Sequence, residues 1–257
     1  MKTIAFTLVL NGMPYIKDQF DILPHVFDEW HIIEGATTPV KDTGWCKNID
    51  ERFYTEDKLS NDGTTEFIDK IVDNKKIFSH RKHNFWNGKL EMCQQIDHLI
   101  GGNIVMQFDV DEIWSVNILR EILDYAKTME EADGMLFKCD YYVGPDLITS
   151  GENCYGNKSN EWCRLWKPKI NSTWISHEPP RITNCTSFLS QAFTYKKNWT
   201  FNHFAYALES QLQFKENFYG YTGAVNQWKR LQNHEEFPAN LNKFLPWVDN
   251  KVQVIRL

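Results

Sequence analysis

The sequence predicts an α/β protein built on a central, mostly parallel sheet with helices on both faces. Three observations carry that reading. Short strand-like runs recur at residues 3–10, 30–34, 76–79 and 103–108, and the first is continuously apolar and β-branched, as a strand buried on both faces must be. Stretches with apolar residues at helical spacing separate these runs. Three carboxylates, Asp109, Asp111 and Glu112, follow the fourth run directly, and open parallel sheets bind ligands beyond the carboxyl ends of their strands.

In order along the chain, residues 3–10 form the first expected strand, ended by the turn-forming pair Asn11-Gly12. From Tyr15 to Phe27 the spacing is helical, and Pro24 marks a break or a fresh first turn. Residues 30–34 give a second strand, stopped by Gly35. Residues 36–59 are polar and irregular with few apolar anchors, the character of a lid that orders on ligand binding. Asn61-Asp62-Gly63-Thr64-Thr65 supplies a turn and helix cap, with Phe67, Ile68, Ile71 and Val72 on one helical face. Residues 76–79 give the third strand. Residues 89–100 read as one helix with Leu90, Cys93, Ile96, Leu99 and Ile100 on one side, closed by Gly101-Gly102. After the fourth strand the alternation stops. Residues 135–143, 162–166 and 174–176 read as strands, and 208–232 as a helical tail. No internal repeat or low-complexity linker divides the chain, so a single domain over residues 1–257 is expected.

Over these 257 residues, 42% hydrophobic and 24% charged content is the balance of a globular protein. A net charge of −6 and a pI near 5.8 argue against broad nucleic-acid binding, which needs a cationic surface. A small anionic ligand stays compatible, because a bound divalent cation supplies positive charge locally. Cys46, Cys93, Cys139, Cys154, Cys163 and Cys185 contain no Cys-x-x-Cys pair, which disfavours a zinc knuckle. Dispersed reduced thiols are expected, a Cys154–Cys163 bridge needing an oxidising compartment. The apolar start is too short for a signal peptide, and no run is long enough to span a bilayer. Sequons at Asn157, Asn171, Asn184 and Asn198 stand against roughly two by chance, too small an excess to imply secretion. The expected location is the cytoplasm.

Val105-Met106-Gln107-Phe108-Asp109-Val110-Asp111-Glu112-Ile113-Trp114 is the most informative segment. Its three carboxylates repel one another and resist burial unless a cation joins them. In an extended or turning backbone Asp109 and Asp111 point to the same side. Their oxygens suit magnesium or manganese, and such an ion with open positions can grip a diphosphate. The alternative is a helix start, with Asp109 as cap and Asp111 and Glu112 in a solvated first turn.

In these motifs the chain resembles glycosyltransferases of the GT-A fold, similar to the glycosyltransferase family two group and its viral and bacterial relatives. Phe6-Thr7-Leu8-Val9-Leu10-Asn11-Gly12 matches their opening strand and turn, Ile32-Ile33-Glu34-Gly35-Ala36 the second strand, Ser60-Asn61-Asp62-Gly63-Thr64 a Ser-x-Asp-Gly-Thr turn, and Gln107-Phe108-Asp109-Val110-Asp111-Glu112 the metal-binding DxD motif. The resemblance implies a GT-A, Rossmann-like sheet with a nucleotide-sugar-binding half over residues 1–115 and a variable acceptor half with C-terminal helices over 116–257. It implies donor contacts from Leu10, Asn11, Glu34, Asp62, Arg81, Lys89, Asp109 and Val110, with Arg164 as a further basic candidate. It implies Mn2+ or Mg2+ held by Asp109, Asp111 and a returning histidine, His203. The reaction would move a sugar from a nucleotide-diphosphate donor to a glycan, lipid or protein hydroxyl.

For the base that deprotonates the acceptor in an inverting reaction, Glu178 in Ser176-His177-Glu178-Pro179-Pro180-Arg181 is the first choice and Asp140 the second. Trp45, Trp162, Trp166 and Trp174 are candidate sugar-stacking rings, although most are expected to pack in the core. Two other readings remain: a nucleotidyltransferase of similar fold, disfavoured by the single glycine of Asn11-Gly12-Met13-Pro14, and a carbohydrate-binding protein with a degenerate site.

Overall fold

A computed structural model describes residues 1–41, 46–150, 163–248 and 252–257. Its strands are β1 Thr3–Val9, β2 Glu29–Glu34, β3 Ile77–Arg81, β4 Ile104–Asp109, β5 Glu112–Ile113, β6 Gly134–Leu136, β7 Lys138–Tyr141, β8 Leu147–Ser150, β9 Cys163–Trp166, β10 Trp174–His177, β11 Pro180–Ile182, β12 Phe188–Leu189, β13 Thr200–His203, β14 Ala239–Asn240 and β15 Gln253–Arg256. The helices are α1 Tyr15–Ile22, α2 Thr64–Ile71, α3 Lys89–Gln94, α4 Asp97–Ile100, α5 Val116–Thr128, α6 Gln191–Lys196, α7 Glu209–Phe218 and α8 Ala224–Gln232.

A seven-stranded sheet in the order β12-β6-β9-β4-β1-β2-β3 forms the centre. β1, β2, β3 and β4 are parallel to one another, β12 is parallel to β6, and β9 alone runs antiparallel, to β4 and β6. Side chains alternate across it as the strand pleat requires. Ala5, Val9, Ile32, Met106 and Phe108 face one core with α1 and α5. Phe6, Ile33 and Val105 face another, with α3, α4, Trp166 and Trp174. Helix α5 buries Leu119, Ile122, Leu123 and Ala126 on one stripe, and each of its larger side chains contributes roughly 1.5–3 kcal/mol by leaving water.

Several elements depart from the sequence expectation. The helix expected over 89–100 is broken: Ile96 leaves helical geometry with φ −106° and ψ 8°. The break lets Asp97 accept a bond from the backbone N–H of Trp174, 2.9 Å away. The strand expected over 135–143 splits between two sheets, with buried Phe137 at the switch and β7 joining a small sheet in the order β5-β13-β7. The helical tail divides at Gly220 and Gly223, whose φ values of +71° and +78° favour glycine. Residue 162 of the expected 162–166 strand lies outside the described residues.

The long loop is better anchored than its sequence suggests. Cys46, Ile49, Phe53 and Leu59 are buried, and the first three pack with Ala36 and Phe218. The backbone N–H of Lys47 donates to Phe218 O at 2.7 Å, and that of Asp50 to Asn217 Oδ1 at 2.9 Å. Its apolar partners sit on α7, far along the chain, where a local reading does not see them. Gly44 and Trp45 lie outside the described residues. Among the described residues no helix is long and apolar enough to cross a membrane, and no disulfide forms. Cys154 and Asn157 also lie outside them.

Candidate active site

The carboxyl ends of β1 and β4 are in register, Leu8 opposite Asp109. From Asp109 the chain turns through Val110 and Asp111 directly into β5, which pairs antiparallel with β13 so that Glu112 faces His203. The acidic segment is therefore a strand-to-strand turn. Helix α5 starts only at Val116, with Ser115 at its N-cap, which removes the alternative of a helix first turn. Buried Gln19 of α1 holds the turn from below. Its amide donates to Asp109 O at 2.7 Å and to Glu112 O at 3.4 Å, and accepts from Thr7 Oγ1 at 2.8 Å.

The three carboxylates have different partners. Glu112 is fully buried, and Arg164 of β9, itself buried, donates from Nε to both of its oxygens at 3.0 and 2.9 Å. Arg164 Nη2 also reaches Glu112 Oε1 at 2.7 Å and Asp109 Oδ2 at 2.8 Å. Asp111 accepts from Gln211 Nε2 of α7 at 3.1 Å and lies 3.4 Å from His203 Nε2. Burial is the largest single influence and pushes all three carboxyl groups up. At Asp109 the summed charges of Arg164, His203, His177 and Lys89, and at Asp111 the charge and hydrogen bond of His203 together with Lys215, still leave both below the ordinary carboxylate range. At Glu112 burial wins, aided by the Asp109 charge against Arg164, and the group is pushed up to about 7. Burial lowers His203, yet Asp111, Glu112 and Asp109 together raise it above an ordinary histidine. A charge-rich turn with a single buried guanidinium under it is thus kept anionic on its open side.

That open side faces a cleft of about 780 Å³. Of the sequence-derived candidates, Leu10, Asn11, Asp62, Lys89, Asp109, Val110, Asp111, Arg164, Glu178 and His203 line it. Asn11 and Asp62 also tie its rim together. Asn11 Nδ2 donates to Phe53 O at 2.7 Å while its Oδ1 accepts from Asn61 N at 2.9 Å, and Asp62 accepts from Met13 N at 2.9 Å and Thr64 N at 3.0 Å. Glu178 is exposed at the turn joining β10 to β11.

Three candidates lie off the cleft wall. Glu34 is fully buried, accepting from Arg81 Nε at 2.7 Å and from Ser60 N and Thr65 Oγ1, so both Glu34 and Arg81 brace β2, β3 and α2. Asp140 is exposed on β7 and does not line the cleft.

The structure adds residues that the sequence reading did not single out. Gln211 and Lys215 enter from α7, where burial lowers the Lys215 ammonium against the pull of Asp111 and Asp109. Tyr219, Tyr221 and Trp247 come from the α7–α8 turn and the C-terminal segment. Arg164, the further basic candidate, borders the cleft as a buried counterion, a role invisible without its partners 52 and 55 residues earlier. Trp166 and Trp174 pack edge to face in the core, centroids 5.0 Å apart. Trp45 and Trp162 lie outside the described residues.

Asp109, Glu112 and His203 each place a ligand atom within 4.8 Å of the others. Both Glu112 oxygens are already taken by Arg164, and Glu112 does not reach the cleft wall. Asp109, Asp111 and His203 all line the cleft, with His203 Nε2 3.4 Å from Asp111. Two carboxylates and an imidazole are a donor set that suits manganese or magnesium.

No family model and no curated protein matches the chain. Solved structures do match in part. The crystal structure of S. aureus TarS 1-349 matches with a TM-score of 0.43 and 15% identity, over 65% of this chain and 47% of that one. Its complex with UDP-GlcNAc matches with a TM-score of 0.44 and 12% identity, over 65% of this chain and 45% of that one. This chain thus matches about half the length of those TarS chains. Mannose-6-phosphate isomerase from Helicobacter pylori matches over 90% of this chain and 79% of its own, with a TM-score of 0.36 and 11% identity.

Proposed function

We propose that the chain is a glycosyltransferase of GT-A type that moves a sugar from a nucleotide-diphosphate donor to a hydroxyl acceptor. The observation that carries the reading is the acidic turn after β4: Asp109 and Asp111 stay ionised on the floor of a large cleft, beside His203. A divalent ion held by Asp109, Asp111 and His203 would join protein to diphosphate and offset the charge that builds as the diphosphate leaves. Leu10 and Asn11 after β1 and Asp62 just before α2 line the part of the cleft assigned to the nucleoside, and Lys89 and Lys215 add positive charge to its wall. In the transfer step the bond from the anomeric carbon to the diphosphate breaks and a bond to the acceptor oxygen forms. Glu178, at the cleft rim, takes the acceptor's proton.

The test is a donor-hydrolysis and transfer screen across nucleotide sugars with manganese, on the wild type and Asp111→Ala. Turnover by the wild type that the substitution abolishes supports the reading. Turnover of no nucleotide sugar, or equal turnover by both proteins, overturns it.

A further inference from the structure

Three aromatic rings in the cleft wall have no part in the donor chemistry just described. Tyr221 and Trp247 are stacked with centroids 4.4 Å apart and planes 11° apart, and Tyr219 continues the ladder at 5.3 Å and 30°. All three are only partly buried and all line the cleft. Core aromatics of this chain are covered on every side, as Trp166 and Trp174 are; these are not. Glu178 stands close enough that its charge adds to the effect of burial on both tyrosines, with Tyr219 pushed up to about 12.

We propose that Tyr219, Tyr221 and Trp247 form an acceptor subsite that seats a pyranose ring, so that the acceptor is a glycan and not a lipid chain. The inference rests on the glycosyl-transfer reading and narrows its acceptor. A pyranose has an apolar face of C–H bonds and a rim of hydroxyls. The outer face of an end ring of the ladder, Trp247 or Tyr219, takes the apolar face while Tyr221 backs it, and a carboxylate near the rings accepts hydrogen bonds from the rim. A lipid chain asks for an unbroken apolar groove, and this wall carries Glu178, Lys215 and Gln211 beside the rings. A sugar lying on the ladder also brings a hydroxyl to Glu178, the group assigned to deprotonate it.

Saturation-transfer NMR on the full chain with magnesium and the nucleoside diphosphate that binds tests this. The probes are the methyl glycosides of glucose, galactose, mannose and N-acetylglucosamine, beside glucitol, an acyclic polyol with similar hydroxyls but no ring face. At least one glycoside is expected to receive saturation at its carbon-bound ring protons, and glucitol little. Trp247→Ala is expected to cut that signal at least about fivefold, the scale of a lost stacking contact, with Trp247→Phe keeping most of it. Equal signals from glucitol and the glycosides, or none from any glycoside, overturn the proposal without needing a variant. So does a tenfold loss of nucleoside diphosphate binding in Trp247→Ala, which assigns the rings to the base. Failure of every nucleoside diphosphate to bind the wild type sinks the glycosyl-transfer reading itself.

Discussion

Arg164 and Glu112 form a buried ion pair directly beneath the acidic turn, with Arg164 Nε 2.9 and 3.0 Å from the two Glu112 oxygens. Both side chains are buried, at 4% and 0% exposure. The pair lets an acidic segment fold into the sheet end while Asp109 and Asp111 keep their charge toward the cleft.

Removing one partner strands the other. Arg164→Met is expected to destabilise the fold by about 3–5 kcal/mol, the scale for a buried charge left uncompensated. Arg164→Lys should recover only part, because an ammonium cannot reproduce the guanidinium's forked geometry. Urea unfolding of the three proteins measures this, and a loss under 1 kcal/mol for Arg164→Met would show that Glu112 is held some other way.

Asp109→Ala or Asp111→Ala is expected to lower sugar transfer at least about a hundredfold, the magnitude lost when charge on a leaving group goes unstabilised. Initial rates with manganese, and again with a chelator, provide the check. Wild-type rates from both variants with the chelator present would end the metal-dependent reading.

His203→Ala and Glu178→Gln should fail differently. The first weakens binding of nucleotide diphosphate with manganese, because a ligand of the bridging ion is gone. The second leaves that binding near wild type and lowers turnover alone, since deprotonation matters only when the acceptor attacks. Calorimetric titration beside turnover assays separates the two, and unchanged nucleotide binding by His203→Ala removes it from the ion's ligands.

Stability should fall as pH drops from about 6.5 toward 4, in part through two histidines on β2 and β3. His31 Nδ1 and His80 Nε2 are 3.0 Å apart, with His31 Nε2 on Glu29 at 3.1 Å. Burial lowers His80 to about 4 and His31 by a smaller margin, with the neighbouring histidines adding to the effect and Glu29 opposing it at His31. A histidine lowered in the folded state binds fewer protons there than when unfolded, so acid favours unfolding through this window. His80→Gln should flatten the fall measured by urea midpoints between pH 4 and 7; an unchanged slope would mean that carboxylates alone account for it.

Gly134 lies in β6 against β9. A Cβ there would sit 2.5 Å from Leu165 O and 2.9 Å from the Phe188 ring, so backbone must move. Gly134→Ala is expected to cost about 1–3 kcal/mol, as overpacking in a tight interior does. Thermal unfolding checks it, with an unshifted transition as the contrary result.

Strands β1, β2 and β4 were legible because both of their faces are buried, so each needed a mostly apolar run of its own; β3, at the sheet edge with only Ile77 buried, carries a weaker signal. Asp109 and Asp111 were legible because a strand end and a charge cluster coincide in sequence. The ion pair of Arg164 with Glu112 was not, since nothing local to Cys163–Trp166 distinguishes a buried arginine from a surface one. The rings of Tyr221 and Trp247 meet only after the chain turns at Gly220 and Gly223. Helix α5 is a different case: Leu119, Ile122, Leu123 and Ala126 hold helical spacing that is plain in the sequence. The break at Ile96 answers to a bond between Asp97 and the distant Trp174, which no local pattern reports.

Strand β13 carries His203 to the acidic turn by pairing on both sides, with Glu112 across one ladder and Tyr141 across the other. The pairing is pinned at its end by Phe204 N donating to Asp111 O and Tyr142 N to His203 O. Side chains on a strand alternate faces, so a slip of one position would turn His203 away and bring Asn202 or Phe204 into its place. The spacing between Trp199 and Phe204 is therefore a fixed length. A single inserted or deleted residue there would leave every proposed ligand in the chain and still take the site apart.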